Sequence, residues 1–214
     1  MKIRTIETID DLKEGVAYVC DREPAFQRVV DVIGLPPLRR KPPGLKGLVE
    51  IITGQLISLK AAAAIWERVE AQFGEFDPVV MQNASDEAYS ACGLSRPKIV
   101  AIRAVLEHVN NGKLSLTNME MAENSDVFEQ LTAIKGIGPW SAQLYLLASL
   151  GRSDVFPYGD VALQESAKLL FDLESRPTAK ELQNQAIPWQ PWRAAAARLL
   201  WSHYKFVKME GGQI

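Results

Sequence analysis

Two features of this 214-residue chain combine residue types and spacing that can do chemistry. The first is the run Leu131-Thr132-Ala133-Ile134-Lys135-Gly136-Ile137-Gly138-Pro139-Trp140-Ser141-Ala142. Two glycines flanking one aliphatic residue make a tight turn with exposed backbone N–H groups, and apolar periodicity on both sides predicts that the turn joins two helices. Ser125 is placed to cap the first, from about Asp126 to Ile134, with Phe128, Leu131 and Ile134 on one face. Pro139 suits the first turn of the second, expected to run from Trp140 to Leu150. The N–H groups around Gly136, Gly138 and Trp140 then carry partial positive charge, which an anionic phosphate can satisfy without a basic side chain. A Gly-x-Gly alone is equally an ordinary interhelical turn, so the longer string carries the reading. The second feature is Asp160, a carboxylate behind Phe156-Pro157-Tyr158-Gly159 at the start of a predicted helix. That is an N-cap position, and it is compatible with presenting negative charge to a site.

The elements that must position these groups read as helices throughout. Candidates are Asp10 to Cys20, Pro24 to Ile33, Leu45 to Gln55, Ser58 to Phe73, Pro78 to Met81, Asp86 to Cys92, Pro97 to Asn110, Met119 to Glu123, the hairpin pair, Val161 to Phe171, Thr178 to Ala186 and Trp192 to Val207. Breakers separate them: Gly34-Leu35-Pro36-Pro37, Pro42-Pro43-Gly44, Gly93-Leu94-Ser95, Asn110-Asn111-Gly112 and Pro188-Trp189-Gln190-Pro191. Gly211-Gly212-Gln213-Ile214 reads as a short loose tail. No Val/Ile/Thr-rich alternating run of useful length is present, so the expected class is all-α.

Composition narrows the function classes. The length allows one compact domain or two packed lobes. No apolar run approaches a membrane span, and the polar start Met1-Lys2-Ile3-Arg4-Thr5 lacks the apolar core of a secretory signal, so an intracellular protein without a membrane partner is expected. Cys20 and Cys92 can build neither a disulfide framework nor a four-cysteine metal site and read as small core hydrophobes. His108 and His203 lie on separate predicted helices without a matched ligand set. A formal net charge of −2 excludes a broad basic surface. Positive charge is therefore local: Arg39-Arg40-Lys41 with Lys46, then Arg96 with Lys98 and Arg103, and Lys135 in the hairpin.

The hairpin string resembles the helix-hairpin-helix element of the DNA glycosylase superfamily: an aliphatic residue, a spacer, Gly, an aliphatic residue, Gly, a spacer, a class-determining residue, Ser or Thr, then Ala. The likeness continues through Pro36-Pro37-Leu38 with Pro42-Pro43-Gly44-Leu45, Ile51-Ile52-Thr53-Gly54-Gln55-Leu56-Ile57-Ser58, Gly93-Leu94-Ser95 followed by Lys98, and Trp189-Gln190-Pro191-Trp192-Arg193 leading to Trp201. It covers roughly residues 24 to 205. Within the superfamily the chain resembles the 3-methyladenine DNA glycosylase II family, in a short form lacking the extra N-terminal mixed α/β domain. The resemblance implies an all-α, two-lobed fold with the active-site cleft between lobes. One lobe would span approximately residues 45–150 and hold the hairpin at 126–150, the other combining the N- and C-terminal segments.

It also implies roles for particular residues. Asp160 would stabilise positive charge on the deoxyribose and orient the attacking water, with Asp154 as its competitor. Trp140 and Trp201 would face a cationic alkylated base. Tyr145 can contribute, one place beyond the family's tyrosine, where this chain has Leu144. Leu56 would wedge into the duplex with Gln55 beside it and Ser58 supporting the turn. Lys135, Gly136, Ile137, Gly138 and Ser141 would hold backbone phosphate. The carbonyls of Thr132, Ile134 and Ile137 would hold a structural monovalent cation, no other cofactor being required. Trp140 stands where strand-cleaving members carry lysine, so the expected enzyme leaves an abasic site. Its expected partner is double-stranded DNA with alkylated bases, met by a monomer in bacterial cytoplasm or a nucleus. Two other readings stay open: a non-catalytic protein that recognises damaged DNA, and a glycosylase for neutral lesions such as hypoxanthine.

Overall fold

The computed structural model describes residues 3–209 and 211. In chain order the helices are α1 (Ile9–Arg22), α2 (Pro24–Ile33), α3 (Gly44–Thr53), α4 (Leu59–Phe73), α5 (Pro78–Asn83), α6 (Asp86–Ala91), α7 (Arg96–Asn110), α8 (Asn124–Thr132), α9 (Pro139–Leu144), α10 (Val161–Leu170), α11 (Ala179–Gln185) and α12 (Arg193–Met209). Among the described residues there is no strand, only an isolated antiparallel bridge between Thr5 and Arg152. The fold is all-α, and the chain forms two compact units: Met1–Arg40 with Leu146–Ile214, and Lys41–Tyr145.

The first unit is built on α12, where Ala194, Ala195, Ala196 and Ala197 are all buried. Side chains that small let α1, α2 and α10 approach closely. An aromatic cluster of Phe26, Phe156, Phe171 and Trp189 fills the remaining core, its edge-on contacts Phe26–Trp189 and Phe156–Trp189 having ring centroids 5.0 and 5.6 Å apart. Thr8 with Asp11 and Thr178 with Glu181 form reciprocal capping boxes that start α1 and α11.

The second unit is centred on α3, whose Leu45, Leu48, Val49, Ile51, Ile52 and Thr53 are buried on nearly all sides, as expected of an interior helix. Helix α7 lays Ile99, Ile102, Val105 and Leu106 against it at three- and four-residue spacing. Ser58, Asp77 and Ser85 cap α4, α5 and α6.

Several expected boundaries are corrected. Ser125 does not cap α8, because the helix starts at Asn124 with Glu123 in the cap position, and the Ser125 hydroxyl donates to Asp126. The buried stripe there is Val127, Leu131 and Ile134, with Phe128 only half-buried and Ile134 already in the turn. The helix expected over 140–150 is α9 followed by a π-helical turn, Tyr145–Ser149. Met119 to Glu123 contains only a 3₁₀ turn, Asn118–Glu120. The breaker at Pro188 holds a second 3₁₀ turn, Ile187–Trp189, before a cis Gln190–Pro191 bond. Of the predicted tail, only Gly211 lies within the described residues.

Candidate active site

The α8–α9 turn needs its first glycine for two reasons. Gly136 has φ +89°, and a Cβ there would sit 2.5 Å from the Cβ of Ala101 on α7. Gly138 differs: its φ is −91°, and a Cβ would meet nothing within 4 Å. Neither backbone nor packing demands glycine at 138, and what its absent side chain leaves is open space over the backbone at the start of α9. Pro139 has no N–H, so Gly138 and Trp140 carry the backbone N–H groups on either side of it. Ile137 does not join them, since its N–H donates to the Ile134 carbonyl (3.0 Å) and its side chain is buried. Lys135 is exposed on the same turn.

Ser141 is 2% exposed and accepts a hydrogen bond from Gln55 Nε2 at 2.8 Å. The same nitrogen donates to the Gly136 carbonyl at 3.2 Å. Gln55 therefore braces the loop after α3 against the hairpin, and Ser141 acts from inside rather than on the surface. Leu56, next in sequence, is 104% exposed with φ +57°. A leucine in left-handed backbone with its whole side chain in water is unfavourable on both counts. Ser58 closes the loop by accepting from the Ala61 N–H, and Leu59 is also exposed. Lys98, read as part of a basic surface cluster, is instead buried at 7% exposure, its ammonium donating to the Thr53 carbonyl at 2.8 Å. Burial lowers its pKa. It anchors the last residue of α3 immediately before the Leu56 loop.

Trp140 and Leu144 are half-buried on α9. Tyr145 is 0% exposed, its hydroxyl accepts from the Gly44 N–H at 3.1 Å, and burial pushes the phenol up to about 12. Its ring is part of the interior of the second unit. For the candidate cation carbonyls, Thr132 ends α8 and so lacks an i+4 partner in that helix, and Ile134 retains one lone pair after accepting from Ile137. Both carbonyls are thus compatible with a monovalent ion.

In the other unit Asp160 caps α10. Its Oδ1 accepts from the N–H groups of Ala162 (2.9 Å) and Leu163 (3.1 Å) and from the indole Nε1 of Trp201 on α12 (3.3 Å). The preceding turn is fixed by the Asp160 N–H donating to the Pro157 carbonyl and by Phe156 packing on Trp189. Asp154 is committed elsewhere, to Arg193 Nε at 2.6 Å. Trp201 is half-buried, and the guanidinium of Arg39 lies over its ring at 5.9 Å. Arg39 and Lys98 are the residues near the candidate sites whose importance sequence reasoning missed; both lie in apparent charge clusters that conceal their individual partners.

Those clusters are largely neutralised. Arg40 pairs with Glu7, Lys41 with Glu50, Lys46 with Glu70, and Arg103 with Asp86. His108 contacts the Ala104 carbonyl, and His203 contacts the Ser166 hydroxyl at 2.9 Å. Among the described residues no cluster of three His, Cys, Asp or Glu side chains could hold a metal ion.

Residues 49–191 match the family described as HhH-GPD superfamily base excision DNA repair protein. A relative named DNA-3-methyladenine glycosylase 1, from Schizosaccharomyces pombe, is 28% identical over 207 residues, covering 93% of this chain and 90% of its own length. The crystal structure of a DNA-3-methyladenine glycosidase from Bacillus halodurans is 35% identical with a TM-score of 0.75, covering 98% of this chain and 95% of that one. The 3-methyladenine DNA glycosylase Mag1 of the same yeast, solved in complex with abasic DNA, is 26% identical with a TM-score of 0.83 over 94% of this chain and 100% of that one.

Proposed function

Because the chain belongs to the HhH-GPD superfamily of base excision DNA repair proteins, we propose that it is a monofunctional DNA glycosylase that excises alkylated purines, 3-methyl and 7-methyl, from double-stranded DNA. Its relatives are DNA-3-methyladenine glycosylases, and one of them binds abasic DNA, the product such a reaction leaves.

The observation that carries the mechanism is the Asp160–Trp201 pair. The base must leave the stack before its glycosidic bond can be reached, at a cost of a few kcal/mol. Leu56, projecting fully into solvent, suits the role of the apolar group that fills the vacated space. The open space over the backbone at Gly138, with Lys135 on the same turn, suits a phosphate and lets a chain of net charge −2 grip DNA locally. Thr132, Ile134 and Ile137 carbonyls would hold a monovalent cation that adds positive charge at that phosphate.

An N3- or N7-methylated purine is a cation. The indole face of Trp201, beside Asp160, attracts it by about 0.5–2 kcal/mol. As the C1′–N bond breaks, its electron pair leaves with the base, which departs neutral, and positive charge moves to the sugar. Asp160, held by two backbone N–H groups and Trp201, stabilises that charge without having to reorganise. Water then forms the new bond to C1′ and its proton passes to the carboxylate or to solvent. Trp140 offers no amine to attack the sugar, so no covalent intermediate forms and the strand stays intact.

The test is release of free base from methylated duplex DNA, with strand breaks assayed before and after hot alkali. The proposal requires methylpurine release with breaks only after alkali. Tight binding without release would replace it with a damage-recognition role, and breaks before alkali would contradict the monofunctional assignment.

A further inference from the structure

Arg39 plays no part in the chemistry above, yet the fold aims it with care. Its backbone is left-handed, with φ +50°, a conformation disfavoured for any residue with a Cβ and kept only where the surroundings hold it. Both neighbours do. The Leu38 carbonyl accepts from Arg198 Nε at 2.8 Å, and Arg198 is itself wholly buried, its Nη1 donating to the Ala194 carbonyl and its Nη2 to the Leu147 carbonyl. On the other side Arg40 pairs with Glu7 at 2.8 Å. Pinned at both ends, the turn sends the Arg39 guanidinium over the Trp201 ring, 5.9 Å from its centroid, while the edge of that ring donates to Asp160. The charge of Asp160 also acts on Arg39, opposing the effect of desolvation on the guanidinium.

We propose that Arg39 is a place-holder that sets the entry threshold of the base site: in the free protein its guanidinium fills the charge site formed by the Trp201 face and Asp160, and an incoming base stacks there by displacing it. The proposal rests on the reading of Trp201 as a wall of that site. A methylated purine brings a positive charge to replace the one it removes, so the exchange costs little. A neutral, undamaged purine breaks the Arg39–Trp201 contact and supplies no charge in return, so it is held back. Arg39 thereby imposes one cost of entry on every base, which a cationic lesion offsets through its own attraction to Trp201 and a neutral base does not.

The test measures binding of 7-methylguanosine, a cation, and of guanosine, its neutral counterpart, by equilibrium dialysis with wild type, Arg39→Met and Arg39→Lys. Arg39 is exposed, and matching melting temperatures verify that the variants fold. Removal of a place-holder strengthens binding of both probes by one common factor, about 2- to 30-fold on the range of cation–aromatic attraction. Arg39→Lys, which restores a cation, returns both toward wild type. A gain confined to 7-methylguanosine would overturn the proposal, because it would mean that Arg39 stays in place and merely repels the cation. Weaker binding of either probe in Arg39→Met would overturn it too, by making Arg39 a ligand contact. Neither probe has to be excised, so failure of the wild type to release bases from DNA would sink the functional reading while leaving this outcome separately readable.

Discussion

Trp201 donates its indole N–H to Asp160 across 3.3 Å, and the oxygen that accepts it, Oδ1, also caps α10. One carboxylate oxygen is thus fixed by two backbone amides and an indole, and the ring that fixes it is itself half-buried between helix and solvent. A residue in an N-cap position is usually there for the helix. Here the cap is also the means by which a carboxylate is held rigid for electrostatic work.

Trp201→Phe separates the two uses of the indole. It keeps an aromatic face and removes the N–H, so single-turnover excision of 7-methylguanine is expected to fall about 10-fold, in line with loss of one hydrogen bond to a charged group. Trp201→Ala loses the face as well and is expected to fall further. Equal rates for wild type and Trp201→Phe would show that the indole N–H contributes nothing to catalysis.

Leu56 stabilises nothing within its own unit, being fully exposed in left-handed backbone. Leu56→Asn places a residue tolerant of that conformation there. Its melting temperature is expected to match or exceed that of wild type while excision from duplex DNA drops at least roughly 10-fold, since an asparagine cannot replace the apolar wedge. A fall in both together would assign Leu56 to the core.

The two hairpin glycines are expected to respond oppositely. Gly136→Ala forces a Cβ to 2.5 Å from Ala101 at φ +89° and is expected to destabilise the fold by about 2–4 kcal/mol, read by urea denaturation. Gly138→Ala meets open space at an ordinary φ, so stability should hold while affinity for DNA falls. A Gly138→Ala protein with undiminished affinity would remove this backbone from the DNA interface.

His203 supplies a pH test of the first unit. Burial lowers its pKa below the usual 6.5, with the Ser166 contact acting weakly in the other direction. Below pH 6.5 the unfolded chain therefore binds a proton that the folded chain resists, and stability falls as pH drops from 6.5 through the lowered folded value. Denaturation midpoints of wild type and His203→Gln across pH 7.5 to 5 should show a shallower decline in the variant. Parallel declines would mean that His203 titrates alike in both states.

Local rules made much of the fold legible. Pro24 starts α2 and Ile33 ends it as periodicity predicts, Ser58 and Thr178 cap α4 and α11, and Asp160 stands at a helix start. What sequence reading missed depends on partners distant in the chain. Lys98 looks like a surface cation until Thr53, 45 residues earlier, is seen to take its ammonium. Arg40 and Lys46 look like a basic patch until Glu7 and Glu70 neutralise them. Tyr145 reads as an available aromatic, yet its hydroxyl is tied to Gly44, 101 residues away. The π-helical turn after Leu144 leaves no mark in the apolar pattern, because it shifts register without changing which residue types are buried.

The central claim is that Asp160 carries the chemistry, and single-turnover excision of 7-methylguanine from duplex DNA by Asp160→Asn, with DNA affinity and melting temperature measured on the same preparation, tests it most directly. The asparagine retains a side-chain oxygen for the cap and lacks the charge, so excision should fall by roughly 10²–10³-fold or more while affinity and folding are largely kept. Near-normal excision by Asp160→Asn would contradict the account.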